Sequence, residues 1–98
     1  MSVDHQRFRF SATCHTEDLA VLHCLRALCQ FAEQGRKPQI GWGGTGEREW
    51  RLNSCKIIFR FTATAYRERF NEEANRLLSK RWRLVAQNDS DPATPQRV

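Results

Sequence analysis

Lys56-Ile57-Ile58-Phe59-Arg60-Phe61 is the stretch on which the fold turns. Successive side chains of a strand point to opposite faces. Ile57, Phe59 and Phe61 therefore share one face, and Lys56, Ile58 and Arg60 the other. The period is two and the residues are β-branched or aromatic, which predicts a strand over residues 55–62. One apolar face and one basic face predict a sheet with one side on a core and the other open.

The same alternation recurs on both sides of this stretch. Asn53-Ser54 offers a tight turn just before it, and Trp50-Arg51-Leu52 precedes that turn. Arg81-Trp82-Arg83-Leu84 lies downstream, with the strand expected over residues 81–87, and Arg7-Phe8-Arg9-Phe10 opens a strand over residues 6–14. If all four segments lie in one sheet, Phe8, Phe10, Phe59 and Phe61 form its core face. Arg7, Arg9, Arg51, Lys56, Arg60, Arg81 and Arg83 then line the open face. So dense a set of cations points to an anionic partner.

Two helices separate these strands. Thr16 reads as an N-cap, with Glu17 and Asp18 suited to the first turn. Val21, Leu22, Leu25, Leu28, Cys29 and Ala32 recur at helical spacing, and Gly35 and Pro38 end the run. Thr62 or Thr64 reads as the cap of the second helix, whose stripe is Tyr66, Phe70, Ala74, Leu77 and Leu78. Arg67 and Arg69 sit early in it, against the local dipole. Residues 35–49 are the least regular part, with Ile40 to Trp42 as a short extra edge strand.

The order strand, helix, strand, strand, helix, strand resembles the ferredoxin-like split βαβ superfold. The resemblance is one of element order and spans residues 6–87. It implies an α+β fold, βαββαβ, with a four-stranded antiparallel sheet and both helices on one face. It also implies that the first and third strands are central. The 98 residues make one domain, with residues 1–5 a flexible N-terminus and 88–98 a disordered tail containing Pro92 and Pro95. A hydrophobic share of 40% suffices for one core.

The formal net charge of +5 agrees with an anionic partner. No stretch approaches the roughly 20 apolar residues of a membrane span, and Met1-Ser2-Val3-Asp4-His5-Gln6 lacks an apolar export core. These features predict a cytoplasmic protein without membrane contact, with Cys14, Cys24, Cys29 and Cys55 reduced.

The RNA-recognition motif shares the topology but displays aromatic rings on its open face. Here the alternation turns Phe59 and Phe61 inward. Gly41-Trp42-Gly43-Gly44-Thr45-Gly46 spells G-x-G-x-x-G, yet a helix precedes it and a strand follows, the reverse of what a dinucleotide site needs. Cys24 and Cys29 are five apart, about 140° around a helix, so no metal set is expected. No spacing pairs a nucleophile with a base, and His15 reads as a solvated turn residue. The expectation is therefore a binding or regulatory module without cofactor. It would engage an acidic protein, or a second copy of itself, through the basic face and Trp42. The alternative is a nonspecific or shape-reading nucleic-acid binder, and an enzyme of unknown reaction comes third.

Overall fold

Lys56–Phe61 is a strand, and its buried and exposed residues alternate as expected up to Arg60. The computed structural model describes residues 3–33 and 38–93. Its elements are α1 (Val3–Arg7), β1 (Phe10–His15), α2 (Leu19–Ala32), α3 (Pro38–Gly41), α4 (Glu47–Leu52), β2 (Lys56–Phe61), α5 (Thr64–Leu77) and β3 (Arg83–Asn88). The strands form a three-stranded sheet in the order β2-β1-β3, and β1 is antiparallel to both neighbours.

Opposed residues of an antiparallel pair share a face. Phe10 stands opposite Phe61, Ala12 opposite Phe59 and Cys14 opposite Ile57. Ala12 on the central strand thus makes room for the Phe59 ring on its neighbour. Phe59 and Phe61 are fully buried, each with its ring centroid 5.2–5.4 Å from that of Phe70 on α5. The α2 stripe of Val21, Leu22, Leu25, Cys29 and Ala32 joins the same cluster. Phe10 is only partly buried, against expectation, and the Arg9 guanidinium lies 5.0 Å from its ring centroid. The reason is that β1 begins at Phe10: Arg7 ends α1, and Phe8 is buried from the link between them.

Among the described residues the sheet has three strands, not the four of the ferredoxin-like arrangement. Trp50-Arg51-Leu52 lies in α4, not in a strand. Gly46 occupies the N-cap, Glu47 and Glu49 stand in the first turn and Arg51 in the last, charges that suit a helix dipole. Trp50 is buried, and its indole Nε1 donates to the Thr16 carbonyl at 2.7 Å. The short edge strand expected at Ile40 to Trp42 is absent too, since Pro38–Gly41 is helical. α3 and α4 pack on β2 where the fourth strand was expected. Gly41 permits this approach: a Cβ there would stand 2.7 Å from the Arg60 carbonyl oxygen.

Thr16 does not cap α2. Asp18 does, accepting from the Ala20 N–H at 2.9 Å. Thr16 is instead a buried junction. Its N–H donates to the Cys55 carbonyl, its hydroxyl donates to the Arg81 carbonyl at 2.9 Å and accepts from the Asp18 N–H, and its carbonyl receives Trp50. Nor does a threonine cap α5, whose N-cap is Ala63. The buried Glu33 carboxylate, just past α2, accepts from the Thr62 N–H at 2.7 Å and the Thr62 hydroxyl at 2.8 Å. One helix end thus anchors the start of the other.

The chain is built into the fold beyond both expected boundaries. α1 occupies residues 3–7, where a flexible end was expected. β3 runs to Asn88, and the Asp91 and Ala93 N–H groups donate to the Arg9 and Phe8 carbonyls at 2.8 and 3.0 Å. Ala93 is buried. The remainder of the tail, 94–98, and residues 1–2 lie outside the described residues.

Candidate binding face

The open side of the sheet is written by its register. Three cross-strand rows run from β2 through β1 to β3: Lys56–His15–Arg83, Ile58–Thr13–Ala86 and Arg60–Ser11–Asn88. Strands are spaced by about 4.8 Å, so each row is about 10 Å wide. The first row sets the Lys56 and Arg83 cations on either side of the His15 imidazole, and the second is uncharged. The third is closed off.

That closure is made by residues 89–93. The Arg60 guanidinium donates from Nε to the Asp91 carbonyl at 2.8 Å and pairs with the Asp91 carboxylate at 3.0 Å. Arg67 on α5 is buried, donates to the Ser11 and Asn88 carbonyls at 3.2 and 3.3 Å and pairs with Asp89 at 2.6 Å. Two arginines therefore grip one short segment, one from β2 and one from α5. Arg67, which stands against the dipole of its own helix, is the link between α5 and the end of the sheet. Sequence alone held one signal for this role, the acidic Asp89 and Asp91 standing near the end of a basic chain.

Beside the open face lies a depression of about 490 Å³. Thr13 of β1, Lys56, Ile57, Ile58 and Arg60 of β2, and Gly43, Gly44, Glu49 and Asn53 line it. Gly44 has a φ of 75°, the left-handed region that glycine tolerates, which turns the loop toward the sheet. Glu49 adds a carboxylate to the lining, so the depression is not uniformly cationic.

Of the seven cations expected on one face, only Lys56, Arg60 and Arg83 belong to the strand rows. Arg7 ends α1, and Arg9 lies in the link before β1. Arg51 is on α4, its Nη2 2.7 Å from Glu47 and its guanidinium 5.4 Å from the Trp50 ring centroid. Arg81 lies in the turn before β3, and its carbonyl is held by Thr16. His15 was missed as a face residue; it belongs to β1 and stands between Lys56 and Arg83. Trp42 is partly buried against the core, with the Arg26 guanidinium 4.3 Å from its ring centroid. It is an anchor with one flank already covered.

The chemistry available on this face is anion binding and apolar contact. The buried thiols are poor nucleophiles: burial pushes Cys14 well above the usual range, and burial followed by the neighbouring Glu33 carboxylate does the same to Cys29. Among the described residues no three His, Cys, Asp or Glu side chains converge as a metal set would. No described helix is long and apolar enough to cross a membrane.

No protein-family model, curated protein or solved structure matches this chain.

Proposed function

We propose that this chain is a small cytoplasmic binding module that takes a carboxylate-rich segment of an acidic protein on its open sheet face. The observation that carries the reading is the row Lys56–His15–Arg83, in which two cations flank an imidazole across three adjacent strands. Beside it, Ile58, Thr13 and Ala86 supply a neutral strip for a chain lying across the face. Exposed cations of this kind gain little from lone surface pairs, roughly 0–1 kcal/mol each. They are worth more when a partner desolvates them and complements their charge.

Nucleic acid is the second reading, and one feature counts against it. Among the three rows, His15 supplies the lone ring on which a base would stack. Glu49 beside the face and the engagement of Arg60 by Asp91 weaken the binding of either anion and do not separate the two readings.

Titration with a polyglutamate peptide and with single- and double-stranded DNA and RNA, across a salt series, tests the reading. Lys56 is exposed and lies on β2, so Lys56→Glu should leave folding within about 0.5 kcal/mol of wild type. The peptide should bind wild type and bind Lys56→Glu at least several-fold more weakly. Tighter binding to nucleic acid, lost steeply with salt, would replace this reading with the second.

A further inference from the structure

The topology leaves a second surface, separate from the open face. The sheet has two edges, and they are treated differently. α3 and α4 pack on β2, with the Gly41 backbone against the Arg60 carbonyl. β3 is the other edge, and all six of its residues are exposed. Among the described residues no strand pairs with its outer side. Such an edge presents a row of backbone donors and acceptors ready for another strand. Arg83-Leu84-Val85-Ala86-Gln87-Asn88 contains no lysine or proline to block pairing, and Arg83 is its one charge. Leu84 and Val85, at 37% and 42% exposure, give it an apolar centre.

The flanks of this strand carry opposite charges. Lys80, Arg81 and Arg83 stand at its start, and Asp89 and Asp91 follow its end. Asp91 is engaged by Arg60, so Asp89 is the acidic group this flank offers: although it pairs with Arg67, its side chain keeps 68% exposure. Two copies of this strand laid antiparallel bring each basic flank beside the other copy's acidic flank, and the match occurs twice. A parallel arrangement sets like charges together. An all-acidic or all-basic partner strand satisfies one flank and opposes the other.

We propose that β3 pairs antiparallel with β3 of a second copy of this chain, joining two three-stranded sheets into one six-stranded sheet about a two-fold axis. The contact is self-complementary, as a two-fold interface must be. A six-residue strand is about 20 Å long, a smaller contact than the roughly 800 Å² per partner of a standard interface. Dimerisation is therefore concentration-dependent and weakened by salt.

Sedimentation equilibrium of the full chain, from micromolar to about 1 mM at low and high salt, reads the association directly. The apparent mass should rise from 11.5 kDa toward twice that value. Val85→Lys sets two ammonium groups near the axis. Val85 has no partner on β1, because the register passes from Thr13–Ala86 to Cys14–Leu84, so the substitution leaves the β1 pairing alone. It should weaken the dimer at least tenfold with an unchanged melting temperature in dilute solution. Should Val85→Lys fail to fold, Arg81→Glu at an exposed turn should weaken the dimer several-fold and remove its salt dependence. Hydrogen exchange of β3 amides should slow with protein concentration in wild type. A wild-type chain that stays at 11.5 kDa overturns self-pairing, and slowed β3 exchange on adding the polyglutamate peptide would then assign the edge to another chain. A Val85→Lys dimer as tight as wild type, with β3 exchange independent of concentration, overturns it equally. Lys56→Glu should leave the dimer intact, so failure of the open-face reading and failure of this one are separable.

Discussion

Replacing Gly41 with alanine should destabilise the domain, although the same change in an ordinary helix is favourable by about 1 kcal/mol. Gly41 ends α3 where that helix meets β2. A Cβ there stands 2.7 Å from the Arg60 carbonyl oxygen and 3.3 Å from both the Cys29 sulfur and a Phe8 ring carbon. The first of these neighbours is backbone. Arg60 lies in β2 opposite Ser11, and its side chain is fixed on Asp91, so the carbonyl cannot retreat without disturbing the sheet and the segment that closes it. Relief must come from α3 moving away by roughly half an ångström, which loosens the contact along β2. Overpacking of this kind costs about 1–3 kcal/mol. Set against the propensity gain, the net loss is about 0–2 kcal/mol. In a domain of this size each kcal/mol is worth about 4–8 °C, so the melting temperature should fall by up to about 15 °C. Thermal unfolding followed by circular dichroism, with a urea midpoint as a second measure, reads this directly. A raised melting temperature, the outcome of propensity alone, would refute the packing of α3 on the β2 edge.

Phe59→Ala removes the ring at the centre of the core and should cost about 3–5 kcal/mol; a urea-derived loss below 1 kcal/mol would place Phe59 outside the core. Truncation after Asn88 removes the partners of Arg60 and Arg67 and the docked Ala93. It should cost about 2–4 kcal/mol at roughly 1 kcal/mol per lost hydrogen bond, and an unchanged melting temperature would mean that 89–93 contributes nothing. The Cys14 and Cys29 thiols are held protonated by burial, so their folded pKa values lie above the unfolded value. Their contribution to stability is complete below about pH 8.5–9, where unfolded thiols begin to ionise, and is lost progressively as pH rises toward the folded values. The urea midpoint should fall between pH 8 and pH 10, less so in Cys14→Ala. At pH 8 a thiol reagent should label exposed Cys24 quickly and Cys14 only on unfolding, and equal labelling rates would contradict the burial.

The parts of this fold legible in sequence were those with long unambiguous periods. Six alternating residues define β2, and the α2 stripe repeats over several turns, so their buried faces follow from spacing; on α5 spacing finds Phe70 and Ala74 but also counts Leu77, which is 55% exposed at the end of the helix. Trp50-Arg51-Leu52 misleads because three residues fit a period of two and a period of 3.6 equally well. The deciding signal was electrostatic: Glu47 and Glu49 before Trp50 and Arg51 after it match a helix dipole, a pattern that strand reading ignores. Alternation places Lys56, Arg60 and Arg83 on β2 and β3, whereas Arg7 and Arg51 were counted from segments that turned out helical. His15 was missed because Thr16 resembled a cap and pulled the expected helix start forward. Arg67, Glu33 and Thr16 hold distant segments together, and no local pattern encodes a partner 20 to 65 residues away.

The placement of β1 has a consequence for how this chain comes together. It is the central strand, yet neither neighbour is near it in sequence: Ser11 meets Asn88, 77 positions along the chain. Pairing of this kind must close long loops before any contact compensates for them, which makes folding slow relative to helical bundles. Residues up to the end of α5 can assemble β1, β2 and the helices that cover them. Until residues 83–93 arrive, the other side of β1 is bare, and its Phe-Ser-Ala-Thr-Cys run is more apolar than the β3 edge of the finished domain. The last eleven described residues therefore act as a closing latch. They supply the third strand, and then Asp89 and Asp91 fasten it to Arg67 and Arg60. A chain arrested before Arg83 would be the aggregation-prone form of this protein, through an edge that the complete fold conceals.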